Sequence, residues 1–116
     1  MVAACDHAQW VETPSPWALQ RVDGRELHLL VSMGGDESCE RFDRVDVDDD
    51  GPIVELTAVV DVRHGAGSCA DIGKFERVRV TLARPLGDRT LTGCRVEGRP
   101  DFSVRATCDE IADEGV

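Results

Sequence analysis

The sequence predicts an all-β fold, a small two-sheet sandwich or open barrel of about six to seven strands stapled by disulfides. Three observations carry that expectation. Short runs that alternate apolar and polar residues follow one another, each bounded by Gly, Pro, Asp or Ser. No stretch of about 12 residues has the 3.6-residue periodicity of an amphipathic helix. Finally, Cys39, Cys69, Cys94 and Cys108 are spread along the 116-residue chain without the C-x-x-C pairs of a zinc site.

In chain order, residues 1–22 read as an N-terminal lead-in or linker. Each proline of Thr13-Pro14-Ser15-Pro16 excludes helix at the residue before it. Trp10 and Trp17 flank this segment, and large rings so placed are expected to dock on the domain's own core. The β domain spans residues 23–108. Asp23-Gly24 is a turn signal, and Leu27, Leu29 and Val31 then mark one face of a strand. Phe42 to Val47 forms the next, closed by the acidic turn Asp48-Asp49-Asp50-Gly51-Pro52.

The longest alternation follows. Val54, Leu56, Ala58, Val60 and Val62 share one face of Ile53 to Arg63, which predicts one buried and one wet side. Beyond the loop His64-Gly65-Ala66-Gly67-Ser68, a turn or single helical turn is expected over Cys69 to Lys74. Phe75 to Ala83 then turns Val78, Val80 and Leu82 inward and Arg77, Arg79 and Thr81 outward. Pro85-Leu86-Gly87-Asp88 breaks the chain before strand candidates at Thr90 to Val96 and Phe102 to Cys108. Residues 109–116 read as a solvated acidic tail.

The length allows one domain with a modest core. With 13 basic and 23 acidic side chains, the formal charge of −10 repels nucleic-acid phosphates and anionic headgroups, so no nucleic-acid partner is expected. No apolar stretch reaches the roughly 18 residues of a membrane span. Val2-Ala3-Ala4-Cys5 has the small-residue pattern of a bacterial lipoprotein cleavage site, which makes Cys5 the lipidation candidate and a lipid anchor the expected route to a membrane. A charged segment and an apolar segment would then have to lie ahead of Val2. Cysteine usage of this kind points to an oxidising, extracytoplasmic compartment, and the four remaining cysteines allow three connectivities.

An ordered set of motifs runs from Val22 to Gly93: Val22-Asp23-Gly24-Arg25, Cys39 ahead of Phe42-Asp43-Arg44-Val45-Asp46-Val47, Cys69-Ala70-Asp71-Ile72-Gly73, and Pro85-Leu86-Gly87-Asp88-Arg89. In these the chain resembles a family of small uncharacterised extracytoplasmic proteins, secreted or lipoprotein-like, of high-GC Gram-positive bacteria. The resemblance implies a bond between Cys39 and Cys69 and carries no function. Cys94 and Cys108 lie outside the shared pattern and pair by parity.

For chemistry the sequence offers little. Asp46-Val47-Asp48-Asp49-Asp50-Gly51 opens like a calcium loop, but Thr57 stands where the bidentate glutamate belongs and strands flank it. Asp46, Asp48 and Asp50 therefore make a weak calcium candidate and no other cofactor is expected. Cys39, His64 and Cys69 lack paired metal spacing, and no catalytic fingerprint occurs, so no enzyme is expected. Arg63, Arg77 and Arg79 read either as a basic stripe or as cross-strand partners of Glu55, Asp61 and Asp46. The expected function is a non-catalytic, cell-surface or secreted interaction module for a protein, peptide or glycan. Two alternatives stand beside it: a structural or assembly protein, such as a phage or surface-layer component, and an inhibitor of an extracellular enzyme presenting the loop from His64 to Ser68.

Overall fold

The longest alternating run becomes the centre of the molecule. The computed structural model describes residues 9–64, 69, 73–97 and 107–111. Seven strands form: β1 (Gln9–Ser15), β2 (Trp17–Asp23), β3 (Glu26–Gly34), β4 (Glu40–Asp48), β5 (Ile53–His64), β6 (Gly73–Thr81) and β7 (Thr90–Thr92). Sheet A has the order β1-β5-β4, with β7 parallel to β5, and sheet B the order β2-β3-β6. The sheets pack on one another and do not close, so of the two expected architectures the molecule is the sandwich.

Period-two alternation accounts for the core. Val54, Leu56, Ala58 and Val60 of β5 are fully buried, as are Leu27, Leu29 and Val31 of β3. Val80 and Leu82 join them from the third inward run, and Trp17, Leu19 and Leu91 complete the packed interior.

Residues 9–22 are not a lead-in. β1 pairs with β5 from Gln9 opposite His64 to Ser15 opposite Ala58, and β2 pairs with β3. The prolines favour an extended backbone, and extended backbone serves a strand as well as a linker. Pro14 lies on an edge strand, where a missing N–H is tolerated. Pro16 sits between the sheets, its carbonyl accepting the Ser32 N–H at 2.8 Å, while the buried Ser15 hydroxyl donates to the Ser32 carbonyl.

The two tryptophans separate. Trp17 is 2 % exposed, and its indole Nε1–H donates to the Leu56 carbonyl at 2.9 Å. That carbonyl lies in a gap of sheet A, because β7 flanks β5 only to Glu55 and β1 only from Ala58. Gly93, at φ +100°, lies against the same carbonyl. This turn ends β7 after Thr92, short of the expected Val96, and leaves the Cys94 carbonyl to accept the Trp17 backbone N–H. Trp10, by contrast, remains 36 % exposed on the outer face of sheet A.

Arg89 organises the connection into β7. Its guanidinium donates to four backbone carbonyls: Asp49 (2.8 Å), Arg84 (3.0 Å), Pro85 (3.0 Å) and Leu86 (3.3 Å). The Asp49 carboxylate accepts the Ala83 N–H at 2.8 Å, so the acidic turn is tied to this loop and is not a free hairpin tip. Substituting Arg89→Met is expected to destabilise the fold by about 2 kcal/mol, the scale of hydrogen bonds from a charged donor. Urea unfolding measures this, and a loss below about 0.5 kcal/mol would show that the carbonyls are equally well served by water.

Both cysteine pairs are bonded, Cys39 to Cys69 and Cys94 to Cys108. The first joins the approach to β4 in sheet A to the approach to β6 in sheet B. The second holds the 107–111 turn beside β7, where the Asp109 carboxylate accepts the Leu91 N–H at 3.0 Å and Ile111 bridges Leu19 of β2. The start of the expected solvated tail is thus docked across both sheets. Of the turn expected at Cys69 to Lys74, residues 70–72 lie outside the described residues, while Gly73 and Lys74 already belong to β6. Of the strand expected at Phe102 to Cys108, only residues 107 and 108 are described, and they lie in the turn.

Candidate functional site

The outer face of sheet A gathers side chains that have no part in the core. Alternation on β1 turns Trp10 and Glu12 outward, with Arg63 and Asp61 of β5 directly opposite them. On β4, Arg41 lies opposite Asp61, and a bulge between Phe42 and Arg44 inserts Asp43 without a partner in the register. Such an insertion redirects side chains locally. Here the Asp43 carboxylate comes together with those of Glu12 and Asp61, with oxygens within 4.8 Å of one another.

Two like charges directly opposite on neighbouring strands repel, and Arg44 supplies the compensating cation. Its guanidinium grips Glu12 in a two-point pair, Nη1 to Oε2 at 3.1 Å and Nη2 to Oε1 at 3.0 Å. It also donates from Nε to Asp46 at 2.9 Å and from Nη1 to Asp43. The trio consists of hard oxygen donors suited to a divalent ion, but Arg44 already neutralises two of its members.

The hydrogen bonds from Arg44 hold the Glu12 carboxyl below its ordinary range, and those to Glu12 and Asp46 raise the Arg44 pKa in turn. A depressed carboxyl contributes stability that is present above its unfolded pKa and lost as pH falls through the folded value. In an NMR titration, Glu12 is therefore expected to protonate at lower pH than an unpaired glutamate. Arg44→Gln should return it to the ordinary range; an unchanged midpoint would mean that the pair does not persist in solution.

Beside the charge network lies an aromatic platform. The Arg41 guanidinium sits 3.9 Å from the centroid of the Trp10 ring, and that of Arg63 sits 5.8 Å away. Arg63 also reaches the Ser38 carbonyl at 3.4 Å. The ring is held on a strand and remains partly open to solvent, an arrangement that can stack a planar or apolar ligand group while neighbouring charges bind its polar atoms.

The sequence-derived candidates fare unevenly. Cys39, Cys69, Cys94 and Cys108 form disulfides, so no thiolate remains for a Cys39–His64–Cys69 metal site. Asp46, Asp48 and Asp50 do not converge as a calcium site requires. Asp46 and Asp48 are strand residues paired opposite Thr57 and Glu55, Arg44 engages Asp46, and Asp50 is exposed in the turn. Arg63 belongs to sheet A, whereas Arg77 and Arg79 belong to sheet B, so the three do not form one stripe. Arg79 pairs with Glu26 at 3.7 Å instead of with Glu55, Asp61 or Asp46. Cys5 and residues 65–68 lie outside the described residues.

Sequence reasoning missed the Trp10, Glu12, Arg41 and Arg44 set. The available signal was the alternation of Trp10, Glu12 and Pro14 with Val11 and Thr13, obscured by the two prolines. Among the described residues no helix is long and apolar enough to cross a membrane. In comparisons with known proteins, no family model, no curated protein and no solved structure matches the chain.

Proposed function

We propose that the chain is a non-catalytic extracytoplasmic binding module, secreted or lipid-anchored through Cys5, that holds a protein, peptide or glycan ligand on the outer face of sheet A. The observation that carries this reading is Trp10, a large ring 36 % exposed on a strand paired along its whole length, with Arg41 over it. An aromatic side chain held rigidly beside charged groups loses little entropy on contact, the usual property of a recognition anchor. The two disulfides support the compartment, since such bonds persist where thiols are oxidised. The like-charged carboxylates beside Trp10 offer acceptors for hydroxyl or ammonium groups.

Glycan and peptide arrays probed with the wild-type protein and with Trp10→Ala test the reading. Binding by the wild type that falls at least about tenfold in a folded variant is expected, because removing a stacked aromatic anchor commonly costs 2 kcal/mol or more. Equal binding by the two proteins, or none by the wild type, rejects it. For the assembly alternative, the open edge of β6 carries Lys74, Glu76, Arg77 and Arg79, charges that oppose edge-to-edge pairing.

A further inference from the structure

We propose a second site, on the outer face of sheet B, that binds a small ligand carrying one oxyanion group. Arg21 of β2, His28 of β3 and Arg79 of β6 stand directly opposite one another in the register, forming a single cross-strand row. Arg77 occupies the next outward position along β6, opposite Leu30. Three basic groups and an imidazole on one sheet face are unexpected on a chain of charge −10, because like-signed neighbours across strands repel.

Their counter-charges are incomplete. Asp23 pairs with Arg21 at 3.3 Å, and Glu26 serves both His28 (3.2 Å) and Arg79 (3.7 Å). Among the described residues Arg77 meets no carboxylate within ion-pair distance. Arg21 and Arg79 are thus matched by two carboxylates, and Arg77 beside the row leaves this patch of the sheet face positive.

A groove follows the row. Gln20, His28, Leu29, Arg77, Val78 and Arg79 line a cavity of about 360 Å³. An adjoining one of about 280 Å³ shares Gln20, His28 and Arg77 and extends to Arg21. β2 has its register irregularity here, between Leu19 and Arg21, and Gln20, at that position, lines the groove wall. Bulges commonly re-aim a side chain next to a binding site.

The chemistry follows from these parts. Planar guanidinium forks suit two-point contacts with carboxylate or phosphate oxygens. The long-range field of the acidic chain discourages extended polyanions and tolerates a ligand with one anionic group. The cavity volume lies at the small end of ligand pockets, a size for a monosaccharide-like body. This site and the Trp10 face lie on different sheets and do not depend on one another.

NMR titration of the full chain with inorganic phosphate, glucuronate and glucose tests the proposal. Saturable shifts of the Gln20, His28, Arg77 and Arg79 signals are expected with at least one of the two anions, and none with glucose. A phosphate response without a glucuronate response identifies a phosphate ligand, and the reverse an acidic sugar. Arg77→Gln should weaken binding about tenfold or more, while Arg95→Gln and Trp10→Ala should leave it unchanged. No saturable response to either anion, equal binding of glucose, or equal losses in the Arg77 and Arg95 variants would overturn the site. Arg77 is exposed and outside the core, so its variant is expected to fold, which the amide spectrum verifies.

Discussion

Replacing Cys39 and Cys69 together by alanine is expected to lower stability by about 3 to 4 kcal/mol. The bond closes a loop with a sequence separation of 30, and in the chain-entropy model a loop of that length restricts the unfolded ensemble by about this amount. The corresponding loss for Cys94 and Cys108, separated by 14, is about 3 kcal/mol. The two loops do not overlap in sequence, so their effects should nearly add. Their sum, about 6 to 7 kcal/mol, is comparable with the roughly 5 to 15 kcal/mol total stability of a typical domain. Reducing agent alone is then expected to unfold much of the population at room temperature. Thermal unfolding followed by circular dichroism should show a fall in Tm of roughly 10 to 20 °C for the Cys39, Cys69 double variant. A fall of less than about 4 °C would mean that the sheets stay together without the staple, and that the unfolded chain gains little freedom from its loss.

Gly93→Ala is expected to destabilise by about 3 to 5 kcal/mol, a large effect for adding one methyl group. At φ +100° a residue with a side chain pays roughly 1 to 2 kcal/mol or more in backbone strain. The new Cβ would also overlap the Leu56 carbonyl oxygen and stand 3.1 Å from the carbonyl carbon. That backbone cannot withdraw cheaply, because β5 is the central strand and the same oxygen accepts the Trp17 indole. Relief by moving the carbonyl breaks a buried hydrogen bond, for a further loss of about 1 to 3 kcal/mol. Trp17→Phe provides the comparison: it removes the donor but keeps most of the ring volume, and should lose only about 1 to 3 kcal/mol. Urea unfolding of the two variants ranks them, and a Gly93→Ala loss no larger than that of Trp17→Phe would contradict the close-approach account.

Much of the fold was legible because its largest strands report their own faces. Of the inward set that the alternation in Ile53 to Arg63 names, Val54, Leu56, Ala58 and Val60 are fully buried and Val62 partly so, and Leu27, Leu29 and Val31 are fully buried as well. The error over residues 9–22 has a clear cause. Proline excludes helix but does not distinguish a free extended segment from an edge strand, and that distinction lies in the partner strand. The weak calcium candidate shows the same limit: Asp46-Val47-Asp48 has loop-like spacing in the sequence but is held as strand by pairing with residues 55 to 57.

The candidate site was much less legible. Glu12 and Arg44 are 32 residues apart and meet only because β1 and β4 flank the same strand. Asp43 reaches the carboxylate group through a bulge that no local periodicity announces. Pro85-Leu86-Gly87-Asp88-Arg89 looked like simple punctuation, yet its arginine reaches back 40 positions to the Asp49 carbonyl.

By itself the sequence determined the fold class, most of the inward set of β3 and β5, and the oxidised build of the domain. These depend on interactions within about 2 residues, where the pleat sends neighbours to opposite faces, and on the chemistry of dispersed cysteines. Only the tertiary structure decided that β1 and β7 share one side of β5, that Trp17 closes the gap between them while Trp10 stays exposed, and that the arginines divide between the two outer faces. Those outcomes rest on register between segments far apart in the chain. A register shift of one residue exchanges the two faces of a strand, so distant pairing, and not local pattern, sets which side chains meet outside the core.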